Sequence, residues 1–289
     1  MAKIPQKTFQ ILKKYDFHFK KSLGQNFLVD SNILTKIVES AKIDNKTLVL
    51  EIGPGIGSLT EELAKKAKKV ISFEIDNRLI PILKDTLSPY KNIEIINQDI
   101  LKVDVDSVIE KQEENYEKVV LVANLPYYIT TAIITHLLEN TKKISSYVVM
   151  MQKEVANRLS AKVGTKDYNS LTILLNYYTN VSYLFTVPKK VFIPAPNVES
   201  AVVEIITKSK KDEEIDEKTF FNFVRNCFSQ RRKTLLNNLI SDFGKEKKEI
   251  LIKSCEEAGI DPKRRSETLD IAEFNRLHKK IKEIEKNKL

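Results

Sequence analysis

Residues 47–63 read TLVLEIGPGIGSLTEEL, and the parsing of this stretch decides the fold class. Thr47 to Leu50 form a short apolar run, the pattern of a strand buried on both faces. The run ends in Gly53, Gly55 and Gly57, residues that accept positive φ and leave room for a ligand against the backbone. Ser58 with Glu61 three residues on predicts a capping box that opens a helix. The order is therefore strand, glycine turn, helix. The spacing is not the dinucleotide fingerprint G-x-G-x-x-G, because the third glycine comes one residue early. No Lys-Ser/Thr follows, so it is not a phosphate-binding P-loop either. Taken alone, a plain structural turn also accounts for it.

The same alternation extends outward. SNILTKIVESAK (31–42) places Ile33, Leu34, Ile37, Val38 and Ala41 on one helical face. VISFEID (70–76), IEIINQD (93–99), KVVLVANLP (118–126) and SSYVVMMQ (145–152) read as strands. LIPILKDTL (79–87), VDSVIEKQEE (105–114) and TTAIITHLLEN (130–140) read as helices, with Pro81 distorting the first turn of its helix or delaying its start. Strands alternating with helices predict a Rossmann-like α/β domain with a mostly parallel, doubly wound sheet. YNSLTILLNYY (168–178) is a further helix, and VSYLFTV (181–187) and ESAVVEIIT (199–207) predict an antiparallel edge hairpin. TKSKKDEE (207–214) is almost pure charge and reads as a linker. Every segment beyond it has helical spacing. The expected organisation is a basic N-terminal arm over 1–30, the α/β domain over 31–208 and a small all-helical domain over 209–289.

Composition narrows the function. The chain has 289 residues, 42% hydrophobic and 30% charged, typical of a soluble globular protein. No apolar stretch approaches the roughly 20 residues a membrane helix needs. The first 21 residues lack a continuous apolar run, Arg and Ser, which argues against secretory and transit peptides. Cys227 and Cys255 lie far apart and read as idle thiols in a reducing, cytoplasmic compartment. The three histidines have no metal-ligand spacing, so no metal site is expected. The formal net charge is +9, which draws polyanions, nucleic acid above all. Within residues 1–29 the only acidic residue is Asp16, against Lys3, Lys7, Lys13, Lys14, Lys20 and Lys21.

Polar residues recur where successive strands end. Glu74 comes 21 residues after Gly53, a spacing suited to accepting two ribose hydroxyls. Asp99 closes the third strand, where a carboxylate can accept from an adenine amino group. Asn124 closes the fourth. Carboxyl ends of strands are where open α/β sheets bind ligands. Each residue is also a helix N-cap by type, and for Asp76 the cap is the better reading. Glu51, Glu74, Asp99 and Asn124 together with the glycines are too many for independent caps. They imply a ligand carrying an adenosine but no pyrophosphate, and S-adenosylmethionine fits. NLPYYIT (124–130) ends its strand in a carboxamide, a proline and two tyrosines, more than a turn requires. It reads as a slot for a flat ring with polar edges.

Eight strings, KKSLGQNFLVD, EIGPGIGSLT, FEID, NQDIL, NLPYYIT, MQKEVANRL, VFIPAPNVESAVV and QRRKTLLNNL, stand in the order found in the KsgA-type rRNA adenine N6-dimethyltransferases, which the chain resembles from about Lys20 to about Leu277. The resemblance implies a class I methyltransferase domain. It further implies a bacterial-type enzyme, acting as a monomer, that dimethylates two adjacent adenines near the 3′ end of small-subunit rRNA in an immature 30S particle. It implies cofactor contacts at Asn26, Leu28, Gly53, Glu74, Asp99 and Asn124. At the target, the Asn124 carboxamide oxygen and the backbone carbonyl of Leu125 or Pro126 would accept the two N6 hydrogens. Pro126 would fix that carbonyl, Tyr127 would stack on the purine, and Tyr128 falls to packing or the rim. Phe192 either closes the other face or is a core aromatic. Two positions depart from the family pattern: Tyr128, where a polar residue such as Asn is more usual, and Pro81. RNA contacts are expected from Lys20, Lys21, Arg158, Arg231, Arg232 and Lys233, with Arg264 and Arg265 as a second cluster, although Arg231 to Lys233 also read as a solvated helix start. Three other readings stay open: an Erm-type large-subunit methylase, a non-catalytic RNA-binding assembly or transcription factor on the same fold, and a DNA adenine methylase. QRRKTLLNNL with the helical tail, the intact Glu74 and Asp99, and NLPY in place of a DPPY-type motif argue against them in turn.

Overall fold

The computed structural model describes residues 6–20, 23–112, 115–208 and 216–286. These fall into two compact units, residues 1–156 with 182–207 and residues 157–181 with 208–289. The first unit contains α1 (Gln6–Lys14), β1 (Phe27–Leu28), α2 (Ser31–Ser40), β2 (Thr47–Ile52), α3 (Ser58–Ala64), β3 (Lys69–Phe73), α4 (Leu79–Thr86), β4 (Ile93–Ile96), α5 (Val105–Glu110), β5 (Lys118–Asn124), α6 (Thr130–Asn140) and β6 (Ser146–Gln152). Helix α7 (Lys153–Leu159) and, after α8 (Ser170–Tyr178), strand β7 (Thr179–Val187) run between the two units. The first unit then ends with β8 (Phe192–Ile193) and β9 (Ser200–Thr207).

The seven-stranded sheet has the order β4-β3-β2-β5-β6-β9-β7. Strands β2 to β6 pair in parallel, and β9 pairs antiparallel with β6. The expected mostly parallel sheet with an antiparallel edge is therefore formed. All six residues of β2 are buried, as a strand covered on both faces requires. The switch in strand order falls between β3 and β5, on either side of β2, and this opens a crevice at the carboxyl ends of those strands.

Local chemistry explains most boundaries. Asp30 caps α2 by accepting from the backbone of Asn32 and Ile33, and the α2 face of Leu34, Ile37 and Val38 is buried. Pro81 lies in the first turn of α4, where a backbone N–H has no intrahelical partner to lose. The capping box expected at Ser58 does not form. Gly57, at φ 88°, stands at the N-cap, and no side chain caps α3. Ser58 is already helical there, and Glu61 accepts instead from the Tyr90 hydroxyl at 3.2 Å.

The N-terminal segment is not a free arm. From Gln6 it is helical, and Ile11, Leu12, Tyr15, Phe17 and Phe19 pack on the cluster of Phe27, Ile56, Leu79, Ile82, Leu83 and Leu87. Lys14 is paired with Asp85 at 2.6 Å, so part of its charge faces its own unit. The partly buried apolar face docks the helix while Lys13 and Lys14 stay exposed, so the segment keeps its charge in solvent.

The second unit holds α8, which was expected inside the α/β domain, with α9 (Glu217–Cys227), α10 (Leu235–Phe243), α11 (Lys248–Glu257) and α12 (Ile271–Lys286). Tyr177, Tyr178 and Ile173 of α8 join Phe220, Val224, Leu239, Leu251, Phe274 and Leu277 in one apolar core. That shared core is why 157–181 groups with the helices. Cys227 and Cys255 are both free and buried in it, and burial pushes both thiols up, Cys255 to about 12. His278 stacks on Phe223, and burial holds it down at about 4. The expected linker lies mostly outside the described residues.

Candidate active site

A pocket opens at the carboxyl ends of β2, β3 and β5 and is lined by Asn26, Leu28, Glu51, Gly53, Glu74, Asp99, Asn124, Leu125, Pro126, Tyr127 and Tyr128, among others. Every cofactor contact expected from the sequence reaches it, together with four of the five residues expected at the chemistry. The fifth, Phe192, does not. It is 3% exposed, pairs with Leu28 across the two-stranded β1–β8 ribbon, and packs with Val187 and Val191 in the core. Of its two readings, the core aromatic is the one this conformation adopts.

The three glycines divide into two roles. A Cβ on Gly55 would come within 3.0 Å of the Phe27 ring, and one on Gly57 within 3.1 Å of Leu87. These two are needed for close packing at positive φ. Gly53 also has positive φ, 67°, but a Cβ there would meet nothing within 4 Å. Its missing side chain leaves space on the pocket side, which fits a ligand lying on the backbone.

Glu74 directly follows β3, with its backbone N–H bonded to the Ile96 carbonyl at 3.0 Å. One carboxylate oxygen accepts the Asp76 N–H at 2.8 Å. The side chain is 4% exposed, and burial pushes it up to about 7. Glu51, inside β2, accepts from the Ser72 hydroxyl at 2.8 Å, and burial pushes it up to about 7 as well. Asp99 lies three residues past β4, and one of its oxygens caps the short helical turn Ile100–Lys102 through the Leu101 N–H at 3.1 Å. The N-cap reading is thus correct for that oxygen, while the residue still lines the pocket.

Asp76, expected as a cap, carries much more. It accepts the Arg78 N–H at 3.2 Å and the Arg78 guanidinium at 2.6 and 2.9 Å, and the Gln25 carboxamide donates to it at 2.8 Å. Burial pushes its carboxyl up, but these donors more than offset that, so it sits below the ordinary carboxylate range and is charged at neutral pH. The sequence reading missed Gln25 and Arg78. The signal was in view, since Gln25 stands inside the GQNFL string and Arg78 two residues after FEID.

At the end of β5 the hydrogen bonds set the orientation of the slot. The Asn124 amide nitrogen donates to the Asn26 backbone carbonyl at 3.1 Å. A carbonyl only accepts, so the amide cannot be flipped there, and its oxygen is the atom left for another donor. The Pro126 carbonyl takes the Thr130 hydroxyl at 2.8 Å and the Ile129 N–H at 3.2 Å. Of the two carbonyls left open, that of Leu125 is the one without a donor among the described residues. Tyr127 is anchored through its hydroxyl to the Ser200 hydroxyl at 2.5 Å, a partner on β9 that the sequence did not suggest. Tyr128 is 60% exposed at the rim, against Gly24.

The expected nucleic-acid contacts fall in both units. Lys20 is exposed, while Lys21 lies outside the described residues. Arg158 is on α7. Arg231, Arg232 and Lys233 are exposed in the turn between α9 and α10. Asn238 holds that turn, donating to the Cys227 carbonyl at 2.7 Å and accepting from the Gln230 N–H and the Ser229 hydroxyl at 3.2 Å. Arg231 donates to the Lys166 carbonyl. Thr234 caps α10, so the basic residues precede the helix. Arg264 is no part of a free basic cluster. Its guanidinium is paired with Glu273 at 2.6 Å and bonded to the Thr268 carbonyl at 2.5 Å. No group of three or more potential metal ligands occurs among the described residues.

The role expected of Glu74 carries a pH dependence. Sugar hydroxyls would donate to its carboxylate form, so a ligand held that way would favour ionised Glu74. With the free group at about 7, affinity is full above that pH and falls below it, by about tenfold between pH 8 and pH 6. Calorimetric titration with S-adenosylmethionine across that range is expected to show this slope, and Glu74→Gln is expected to flatten it.

Comparison with known proteins gives consistent matches. The ribosomal RNA adenine dimethylase family matches residues 16–283. The ribosomal RNA small subunit methyltransferase A of Bacillus cytotoxicus is 56% identical over 274 residues, covering 93% of this chain and 94% of that protein. Its namesake from Staphylococcus haemolyticus is 53% identical over 281 residues, covering 96% and 95%. Among solved structures, a dimethyladenosine transferase from Plasmodium falciparum superposes with a TM-score of 0.72 at 30% identity, over 91% of this chain and 98% of its own. The 23S rRNA methyltransferase ErmE gives 0.67 at 28% identity, over 89% and 100%.

Proposed function

The chain belongs to the ribosomal RNA adenine dimethylase family, and we propose that it uses S-adenosylmethionine to place two methyl groups on N6 of each of two adjacent adenines near the 3′ end of small-subunit rRNA. Its substrate is the rRNA within an immature 30S particle, and it acts as a monomer in the cytoplasm. The observation that carries the mechanism is the committed amide of Asn124, which leaves its oxygen free to accept from a substrate donor in a pocket that Leu125, with its carbonyl unbonded among the described residues, also lines. The close relatives are small-subunit enzymes by name, which favours that subunit over the large one.

The residues divide the work. Glu74 accepts the ribose hydroxyls, Asp99 the amino group of the cofactor's adenine, and Gly53 lets the ligand lie on the backbone. Asn26 and Leu28 close over the sugar and the amino-acid end. S-adenosylmethionine, when bound, supplies a methyl on a cationic sulfur that is also a good leaving group. The lone pair of an adenine amino group is delocalised into its ring, so the amine needs redistribution of charge. The Asn124 oxygen and the Leu125 carbonyl accept its two hydrogens, which favours a tetrahedral nitrogen with its lone pair directed at the methyl. Tyr127 stacks on the purine, a contact worth roughly 1–3 kcal/mol, with its ring held by Ser200. No general base is required, because the methylated amine is cationic and releases its proton to water.

A target adenine must leave its stack to enter the slot, and RNA shape over a broad surface then supplies specificity. Lys20, Arg158 and the turn Arg231–Lys233 are the contacts proposed for it. The test is incubation with labelled S-adenosylmethionine and, separately, immature 30S particles, 50S particles and DNA. Label is expected in the 30S particles alone, recovered as dimethyladenine by mass spectrometry, and label in 50S particles would overturn the assignment. Affinity for the particle should fall steeply with salt. Reversing the charge at Arg231 and Arg232 should weaken particle binding and leave S-adenosylmethionine affinity unchanged.

A further inference from the structure

We propose that Gln25 and Asp76 are positioning residues for methyl transfer, holding the segment 24–28 so that the Asn26 carbonyl keeps the Asn124 carboxamide turned with its oxygen into the pocket. The inference rests on the reading of Asn124 as the group that meets the target amine.

The contacts form a continuous chain from the cofactor side of the pocket to the adenine side. The Asp76 N–H is bound by Glu74 at 2.8 Å. The Asp76 carboxylate, 5% exposed, takes the Gln25 amide at 2.8 Å. The other end of the same Gln25 carboxamide accepts the Lys20 N–H at 2.9 Å, which fixes its orientation. One residue on, the Asn26 side chain closes a turn on the Gly24 carbonyl at 3.0 Å, and the Asn26 backbone carbonyl receives the Asn124 amide at 3.1 Å. Arg78 completes the arrangement. It binds both Asp76 oxygens, reaches the His18 carbonyl at 2.9 Å, and lies 4.9 Å from the centre of the Phe17 ring. A buried carboxylate with this many donors is a rigid acceptor.

The need for such a device is physical. A carboxamide has two chemically opposite ends, and only one of them accepts a hydrogen from an amine. Nothing on Asn124 itself prevents a half-turn that would present its NH₂ to the substrate. The Asn26 carbonyl prevents it, and that carbonyl is only as well placed as its segment. Gln25 is one tether of this segment among several. The same segment is held independently by Phe27 among Phe17 and Phe19 and by the pairing of Phe27 and Leu28 with β8. Removing Gln25 should therefore loosen the position of Asn26 without releasing the segment.

The experiment is a double-mutant cycle on single-turnover methyl transfer to immature 30S particles at saturating S-adenosylmethionine, with melting temperature and cofactor Kd measured alongside. Gln25→Ala is expected to slow the chemical step about tenfold, the scale of one hydrogen bond to a charged group, with little change in melting temperature. In the Asn124→Ala background Gln25→Ala should cost nothing further, because its effect runs through Asn124. Gln25→Glu alone should be worse than Gln25→Ala, since it sets two carboxylates face to face. An unchanged rate for Gln25→Ala, or full additivity in the cycle, would overturn the proposal. Should Gln25→Ala not fold, Gln25→Met keeps the bulk without the hydrogen bonds and serves in its place. A wild-type rate in Asn124→Ala itself would point elsewhere, to failure of the underlying reading of Asn124.

Discussion

Asn124→Ala should slow single-turnover methyl transfer to immature small subunits by about 10²-fold or more, the scale of losing one preorganised polar group at a reacting centre. Among the described residues the side chain makes one hydrogen bond, to the Asn26 carbonyl, and it is the last residue of β5. Truncation therefore leaves β5, whose five central residues are buried, intact, and melting should change little. The target amine would keep the Leu125 carbonyl and lose its second acceptor, so its nitrogen would no longer be drawn towards tetrahedral geometry. Asn124 is also an expected cofactor contact in the pocket, so rates are compared at saturating S-adenosylmethionine, where the loss at the chemical step remains. Mass spectrometry that separates mono- from dimethyladenine would show whether both transfers slow together. If a folded, cofactor-bound Asn124→Ala protein methylates at the wild-type rate, NLPY is structural and the catalytic reading fails.

Glu74→Ala should act on the other side of the pocket, weakening S-adenosylmethionine binding by ~1–3 kcal/mol, or about 5- to 150-fold in Kd. Two sugar hydroxyls would lose a buried acceptor at once. The free protein would lose the hydrogen bond to the Asp76 N–H but also a carboxyl that burial pushes up to about 7. Ionising such a group at neutral pH opposes folding, so its removal should cost the ligand-free protein little at pH 8. Calorimetry on the folded variant distinguishes this outcome, and an unchanged Kd would remove Glu74 from the site.

Much of this was legible in the sequence, for a local reason. Strand and helix periodicity depends on near neighbours, and so β2 to β6 and their intervening helices lie where the patterns put them. The polar residues at strand ends were legible too, because a parallel sheet sends every carboxyl end to the same edge. Glu74 follows β3 and Asn124 ends β5, so both had to reach one crevice once the strands were in register. Gly53 was legible as a turn residue from its type alone.

What the tertiary structure decided was the role of side chains whose partners come from far along the chain. Gly55 and Gly57 look like Gly53 in sequence, yet Phe27 and Leu87 make them packing residues while Gly53 faces open space. The basic N-terminal segment became a docked helix because its apolar face meets Leu79, Ile82 and Leu83. Arg264 was removed from the basic surface by Glu273, and Phe192 was taken by the core. Thr130 and Ile129 occupy the Pro126 carbonyl, and so the Leu125 carbonyl is the one proposed for the target amine. The orientation of Asn124 was settled by Asn26, 98 residues away. Sequence determined which groups this protein brings to its crevice, since that depends on backbone periodicity. Their bonding there is a matter of which atoms are already satisfied by contacts distant in sequence, and only the folded chain fixes that.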